Sequence, residues 1–368
     1  LYNLKFLKGK VVGIFSLKPK TVVGIDVSST AVKLLELTQV GNGYRVESYA
    51  MELLPEKAVE NKDIKELEIV GDTIRRVKAR AKPSAEHAAC AVAGNSVITK
   101  VVTMTAGLAD DEIRETIEAD ANQYISFPLN EVNLDFEVIG PNEKEPDTRM
   151  DVLLAAARNE VVDSRMAAIE LGGFKVKVVD IERYALENAL VLLAKDDPEI
   201  NPDETLALVE VGAHSTTVYV LSNNKIIFTF DEPFGAKNLT ERIQLKYGLG
   251  YAEAINAQRE GGLPESYETE LLIPFKRELA QQVNRMVQRY CNSPTAERLS
   301  HVLVSGGCAA IAGLVELLNE EIGGHVTIAN PFIAMSVSNK VSKKDLMNDA
   351  PALLIACGLA LRTFDKHY

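Results

Sequence analysis

The chain has 368 residues, 46% hydrophobic and 25% charged, with a net charge of −12. That length gives room for two or more domains with sizeable cores, and the acidic balance argues against a general nucleic-acid surface. No apolar run approaches the ~20 residues that span a bilayer, and the lysine-rich start lacks an apolar stretch ending in a small-residue cleavage site, so the chain reads as soluble and cytoplasmic. The four cysteines, Cys90, Cys291, Cys308 and Cys357, form no C-x-x-C pair, three of them in surroundings typical of reduced core positions, and the five histidines have no zinc spacing.

Residues 1–14, LYNLKFLKGKVVGI, mix apolar and basic residues. They read either as an arm outside the fold or as a docking or membrane-surface segment. The fold begins near Phe15. Val22 to Leu37 is an apolar strand, a polar turn with Asp26, Ser28, Ser29 and Thr30, and a second apolar strand. Such a hairpin aims N–H groups and hydroxyls at a phosphate while its carboxylate faces a hydrated metal ion. Tyr44 to Leu54 follows as a strand, Asp63 to Lys82 as an amphipathic helix and His87 to Ala93 as a short buried strand. Residues 95–170 read as a small α/β inset, with a helix over Ala109 to Ile125, strands over Val132 to Ile139 and Met150 to Ala157, and a helix over Val161 to Leu171. Lys175 to Val179 is a strand, Asp180 and Glu182 lie at its junction with a helix over Arg183 to Lys195, and DDPEINPDE (196–204) is a linker.

The opening theme then returns. Leu206 to Leu221 is a hairpin in which Glu210 stands where Asp26 stood, 184 residues earlier (210 − 26), and Gly212 replaces Ser28. Ser215, Thr216 and Thr217 supply the hydroxyls. Two such hairpins imply two related subdomains facing each other across a cleft that grips a polyanion. A strand over Ile226 to Phe230, helices over Leu239 to Tyr247, Tyr251 to Arg259 and Tyr267 to Tyr290, and a buried strand over Arg298 to Val304 follow. That strand runs into Ser305-Gly306-Gly307-Cys308 and a helix over Ile311 to Leu318. The adjacent glycines let a base or phosphate come against the backbone. Pro351 to Leu361 is a small-residue helix in which Gly358 suits close packing.

In this order the parts resemble the nucleotide-binding core shared by actin, Hsp70-type chaperones and sugar kinases. GIDVSST (24–30) looks like a first phosphate loop, VEVGAHST (209–216) like a second, VSGGC (304–308) like an adenosine loop, and 179–189 and 350–361 like connector helices. GIDVSSTAVKLLEL, QYISFPLNEVNLDFEVIG, DVLLAAARNEVVDSRM and VVDIERYALENAL more closely resemble the PilM family of the type IV pilus inner-membrane platform, relatives of FtsA, over about 15–362.

The resemblance implies an actin-like α/β fold of two RNase H-like subdomains flanking a nucleotide cleft, with an FtsA-like inset that makes partner contacts. Residues 15–94, 171–205 and 346–368 would form the first subdomain and 95–170 the inset. Residues 206–248 and 295–345 would form the second subdomain, and 249–294 a helical one. It further implies ATP or ADP with Mg²⁺, the metal facing Asp26 and Glu210. Ser28, Ser29, Thr30, Gly212, Ala213, Ser215 and Thr216 would surround the phosphates. Gly306, Gly307 and Glu253 would contact the nucleoside, and Glu182, with Asp180 as the alternative, would position water. Glu210 in place of the family's usual Asp, and no basic residue beside Glu253, imply binding with slow or no turnover.

The partner implied is the cytoplasmic N-terminal segment of PilN, with its hydrophobic–Asn–Leu motif, and then other platform and motor proteins. These would hold the chain peripheral to the inner membrane, in the assembly of pili used for twitching motility. The alternatives are an active ATPase or phosphotransferase, and an FtsA-like membrane-associated filament. Tyr2-Asn3-Leu4 has the partner-tail pattern, which predicts that residues 1–10 occupy the partner groove. Residues 124–134 and 153–158 are the expected contact surface.

Overall fold

The computed structural model describes residues 21–365. The arm at 1–14, with its Tyr2-Asn3-Leu4 motif, lies outside the described residues. The described chain folds as two compact units, one of 21–38, 48–185 and 358–365, the other of 39–47 and 186–357.

The first sheet opens with β1 (Val22–Val27), β2 (Ala31–Val40) and β3 (Gly43–Leu53), with Val22, Val23, Ile25, Leu34, Leu35 and Val46 fully buried. A two-residue ribbon follows, β4 (Val59–Glu60) with β5 (Asp63–Ile64). Its turn residues Asn61 and Lys62 both have positive φ, 50° and 71°, as tight primed hairpins require. The ribbon claims Asp63 and Ile64, so helix α1 (Leu67–Ala81) starts later than the periodicity from Asp63 predicts. β6 is His87–Val92.

The inset is β7 (Val97–Thr105), α2 (Asp110–Ala119), the single turn α3 (Ala121–Tyr124), β8 (Val132–Pro141) and β9 (Arg149–Arg158). The helix predicted from Ala109 to Ile125 breaks at Asp120, whose side chain accepts from Gln123. β9 is the central strand, antiparallel to both β7 and β8. Its even-numbered residues Val152, Leu154 and Ala156 join Ile113 and Ile117 in the inset core. Its odd-numbered Leu153, Ala155 and Ala157 join the core of the first sheet. A strand buried on both faces reads as a continuous apolar run, as VLLAAA does. Because 153–157 are buried, the expected contact surface at 153–158 is corrected: only Arg158 at its end is partly exposed.

β9 passes directly into α4 (Asn159–Leu171), then β10 (Lys175–Ile181) and α5 (Glu182–Asp196). The sheet order is β10-β6-β1-β2-β3, with β1, β6 and β10 parallel. Helices α1 and α4 meet through glycines: a Cβ on Gly71 would press on Leu171, and one on Gly172 on Ile74.

The second unit repeats the plan. β11 (Thr205–Val211), β12 (Thr216–Ser222) and β13 (Lys225–Glu232) form a meander, and β14 (Leu299–Ser305) and β15 (Val326–Ile328) add in parallel, giving the order β13-β12-β11-β14-β15. Between them lie α6 (Ala236–Tyr247), α7 (Tyr251–Glu260) and α8 (Ile273–Cys291). The helix predicted from Tyr267 begins as a π-turn over Glu268–Leu272, ahead of Pro274. Proline has no N–H to give the carbonyl four residues back. Gly313, at φ +74°, delays α9 to Leu314–Ile322. Then β16 (Ser336–Val337) pairs with Arg45 and Val46 of β3 inside this unit. Neither it nor β15 nor α10 (Lys343–Asp349) is expected from periodicity. Ser342 caps α10. α11 (Leu354–Leu361) returns the chain to the first unit.

Candidate functional site: two acid-tipped hairpins

Antiparallel pairing sets Asp26 directly opposite Lys33. Their side chains meet at 2.8 Å, with Asp26 4% exposed. The turn is closed by the Ser28 amide donating to the Ala31 carbonyl at 3.0 Å, and by the Ser28 hydroxyl, which donates to that carbonyl at 2.9 Å and accepts from the Ala31 amide at 3.2 Å. Ser28 therefore shapes the loop, and the partly exposed Ser29 and Thr30 stand at its tip. Lys33 escapes motif reading because it lies past the turn. Its signal is a lone cation in an apolar strand.

Around this loop the first unit builds a support of charged groups. Arg165 of α4, 3% exposed, donates to the Val27 carbonyl at 2.7 Å and to the Lys62 carbonyl at 2.6 Å. The Lys62 amine meets Glu182, the first residue of α5, at 2.7 Å. Asp180 is placed differently. It is fully buried and takes its bonds from Arg362 at 2.6 Å and from the Ile181 amide at 2.7 Å. Burial pushes its pKa up against the pull of Arg362. It is a structural ion-pair partner, which leaves Glu182 as the water-positioning candidate.

In the second unit Glu210 occupies the position of Asp26, but the residue opposite is Thr217. The Tyr219 hydroxyl donates to it at 3.4 Å. The Gly212 amide donates to the Ser215 carbonyl at 2.9 Å, and the carbonyls of Gly212 and Ala213 accept from Ala236 and Lys237. This seats α6 under the loop, and only glycine fits at 235, where a Cβ would lie 2.5 Å from the Gly212 oxygen. The Thr216 hydroxyl is fully buried and donates to the Phe234 carbonyl at 2.7 Å, so Thr216 fixes the loop and Ser215 stays partly exposed at its tip.

Gly306 and Gly307 divide the work. Gly306, at φ +87°, lies against Val211, whose carbonyl a Cβ would overlap. Beside Gly307 there is no atom within 4 Å of where a Cβ would stand. The first glycine is needed by the fold, and the second borders open space. Glu253 sits on the first turn of α7, where its carboxylate accepts from the Gly250 amide at 2.8 Å. Burial pushes the thiols of Cys90, Cys308 and Cys357 up to about 12, so they are inert. Among the described residues, no three His, Cys, Asp or Glu side chains are grouped to hold a metal.

A family model described as type IV pilus assembly protein PilM matches residues 24–364. The chain belongs to the PilM family. A solved PilM–PilN type IV pilus biogenesis complex is similar at 24% identity and a TM-score of 0.75, covering 94% of this chain and 99% of that one. The ethanolamine utilization protein EutJ of Carboxydothermus hydrogenoformans follows at 19% identity and a TM-score of 0.52, covering 94% and 90%. Among curated proteins, FtsA of Bacillus subtilis (strain 168) is 22% identical over 255 residues, 60% of this chain. The match spans 56% of FtsA's own length. With these neighbours and the duplicated sheet order, the fold is actin-like, as the motifs predict. Among the described residues no helix is long and apolar enough to cross a membrane.

Proposed function

We propose that this PilM-family chain is an ATP-binding scaffold of the type IV pilus inner-membrane platform. In this reading the 28–30 loop and the 212–215 loop are each a phosphate-binding loop, Lys33 offsets phosphate charge, and Gly307 admits the nucleoside. The observation that carries it is the duplicated acid-tipped hairpin, with Asp26 and Glu210 at the same register position and Lys33 opposite the first. Mg²⁺ commonly keeps several waters and takes one or two carboxylates plus phosphates, without a dedicated protein cage. Asp26 and Glu210 suit that role. The longer Glu210 side chain, held by Tyr219, favours binding over in-line hydrolysis.

The solved PilM–PilN complex supports PilN as the kind of partner; in this reading its cytoplasmic N-terminal segment is received on the inset around 124–134, with an affinity set by the bound nucleotide. That attachment would keep the chain cytoplasmic and peripheral to the inner membrane, beside other platform and motor proteins.

Calorimetric titration of nucleotide-free protein with ATP, with and without Mg²⁺, tests the reading. Mg-dependent binding that Asp26→Ala abolishes supports it. Absence of binding to the wild type overturns it. Steady ATP turnover lost in Asp26→Ala would instead favour an ATPase.

A further inference from the structure

Helix α4 is held at its N-terminal end and at its middle by contacts to two different parts of the first unit. At its N-terminal end it is tied to the inset. The Arg158 guanidinium lies 5.7 Å from the centre of the Phe127 ring. Asn159, the first helical residue, donates to the Asn130 carbonyl at 3.0 Å and accepts from the Asn133 side chain at 2.8 Å. Two turns on, the same helix presents Arg165 to the phosphate-loop side, bridging the Val27 carbonyl at the end of β1 and the Lys62 carbonyl. Through Lys62 this bridge also reaches Glu182. Asn159 and Arg165 are about 9 Å apart along the axis, and between them the backbone is uninterrupted helix. The Arg165 Nε is buried with no acceptor. A buried donor left unmet is costly, so a position of the loop that supplied it an acceptor would be favoured.

We infer that α4 is the rod through which the nucleotide loop and the 127–133 segment of the inset sense each other, with Arg165 as the positioning residue at the loop end and Asn159 at the inset end. This rests on the nucleotide reading above and deepens it. A ligand that draws the 28–30 loop inward moves Val27, and Arg165 carries the displacement into α4 and on to Asn130 and Asn133. By reciprocity, a partner seated on 127–133 changes nucleotide affinity by the same factor.

Hydrogen exchange on the full chain, with and without Mg-ATP, tests the inference without the partner. In the wild type, amides at 28–31 and at 129–134 both change rate on binding, the second set by about fivefold or more. Arg165→Met keeps the response at 28–31 and loses that at 129–134. Arg165→Lys, which reaches one carbonyl but not both, restores it only in part. Asn159→Ala cuts the path at the other end, leaves the loop untouched, and carries the test if Arg165→Met fails to fold. A wild type that binds ATP with no change at 129–134, or an Arg165→Met and an Asn159→Ala that both keep it, overturns the inference and leaves the functional reading standing. A wild type that binds no ATP by calorimetry removes both.

Discussion

Single charges distinguish the two hairpins. Asp26 is held by Lys33 at 2.8 Å, whereas Glu210 faces a threonine across the ladder. Removing Lys33 leaves a nearly buried carboxylate without its cation, and breaking such a pair costs more than the pair contributes. Lys33→Met is expected to weaken Mg-ATP binding about tenfold or more, the worth of one charge-assisted hydrogen bond, with a lower unfolding midpoint in the same protein. Titration calorimetry and urea melts measure the two effects separately. Glu36 is a second case, remote from the loops. It is 1% exposed and accepts from the Ser48 hydroxyl, the Ser84 amide and hydroxyl, and the Ala85 amide, which seats the chain entering β6. Glu36→Ala strands those donors and is expected to destabilise by about 2–3 kcal/mol, read from urea unfolding.

At the scale of elements, glycines decide which backbones touch. A Cβ on Gly358 of α11 would overlap the Ala185 carbonyl of α5, so the two helices cross at backbone contact. Gly358→Ala forces them apart and is expected to lower stability by about 1–3 kcal/mol, the usual cost of overpacking. The pair after β14 separates fold from function. Gly306→Ala combines a positive φ with a clash at Val211 and is expected to melt early. Gly307→Ala meets open space and is expected to leave the melting curve unchanged while lowering ATP affinity. A Gly307→Ala that binds ATP like the wild type would remove that glycine from the nucleoside site.

The whole molecule is a plan used twice, a three-strand meander extended by two parallel strands. One pH-sensitive group is lodged in the second copy. His301 on β14 is buried and shares a hydrogen bond of 2.7 Å with Thr327, and its ring lies 4.4 Å from that of His325. Burial first, and His325 second, hold its pKa below the usual 6.5, against the opposing charges of Asp197 and Glu199. A histidine with a depressed folded pKa binds its proton more readily when unfolded, so its contribution to stability is lost as pH falls below 6.5. Chemical melts are expected to show stability declining from about pH 7.5 to about 5.5, and His301→Gln flattening that decline. The hydrogen-bonded carboxyls of Asp151 and Glu297 lie below their usual 3.8 and 4.5, outside this window. A slope unchanged in His301→Gln would assign the loss to other groups.

The sequence by itself determined most of the elements and the duplication. Period-two apolar runs and polar turns act between neighbours, so both hairpins, the paired acids and the inset were legible, and the PilM family with them. It did not determine register, or which polar groups serve the fold. Asp180 and Thr216 read as site residues, yet burial gave them to Arg362 and Phe234. Lys62 and Arg165 carried no motif. Arg165 reaches Val27 across 138 residues and Lys62 across 103. Contacts at such separations are set by how sheets and helices pack, and a local pattern holds no record of them. Only the tertiary structure could decide that one helix touches both the inset and the end of β1 beside the 28–30 turn, because that juxtaposition arises from β9 being buried on both faces and running straight into α4.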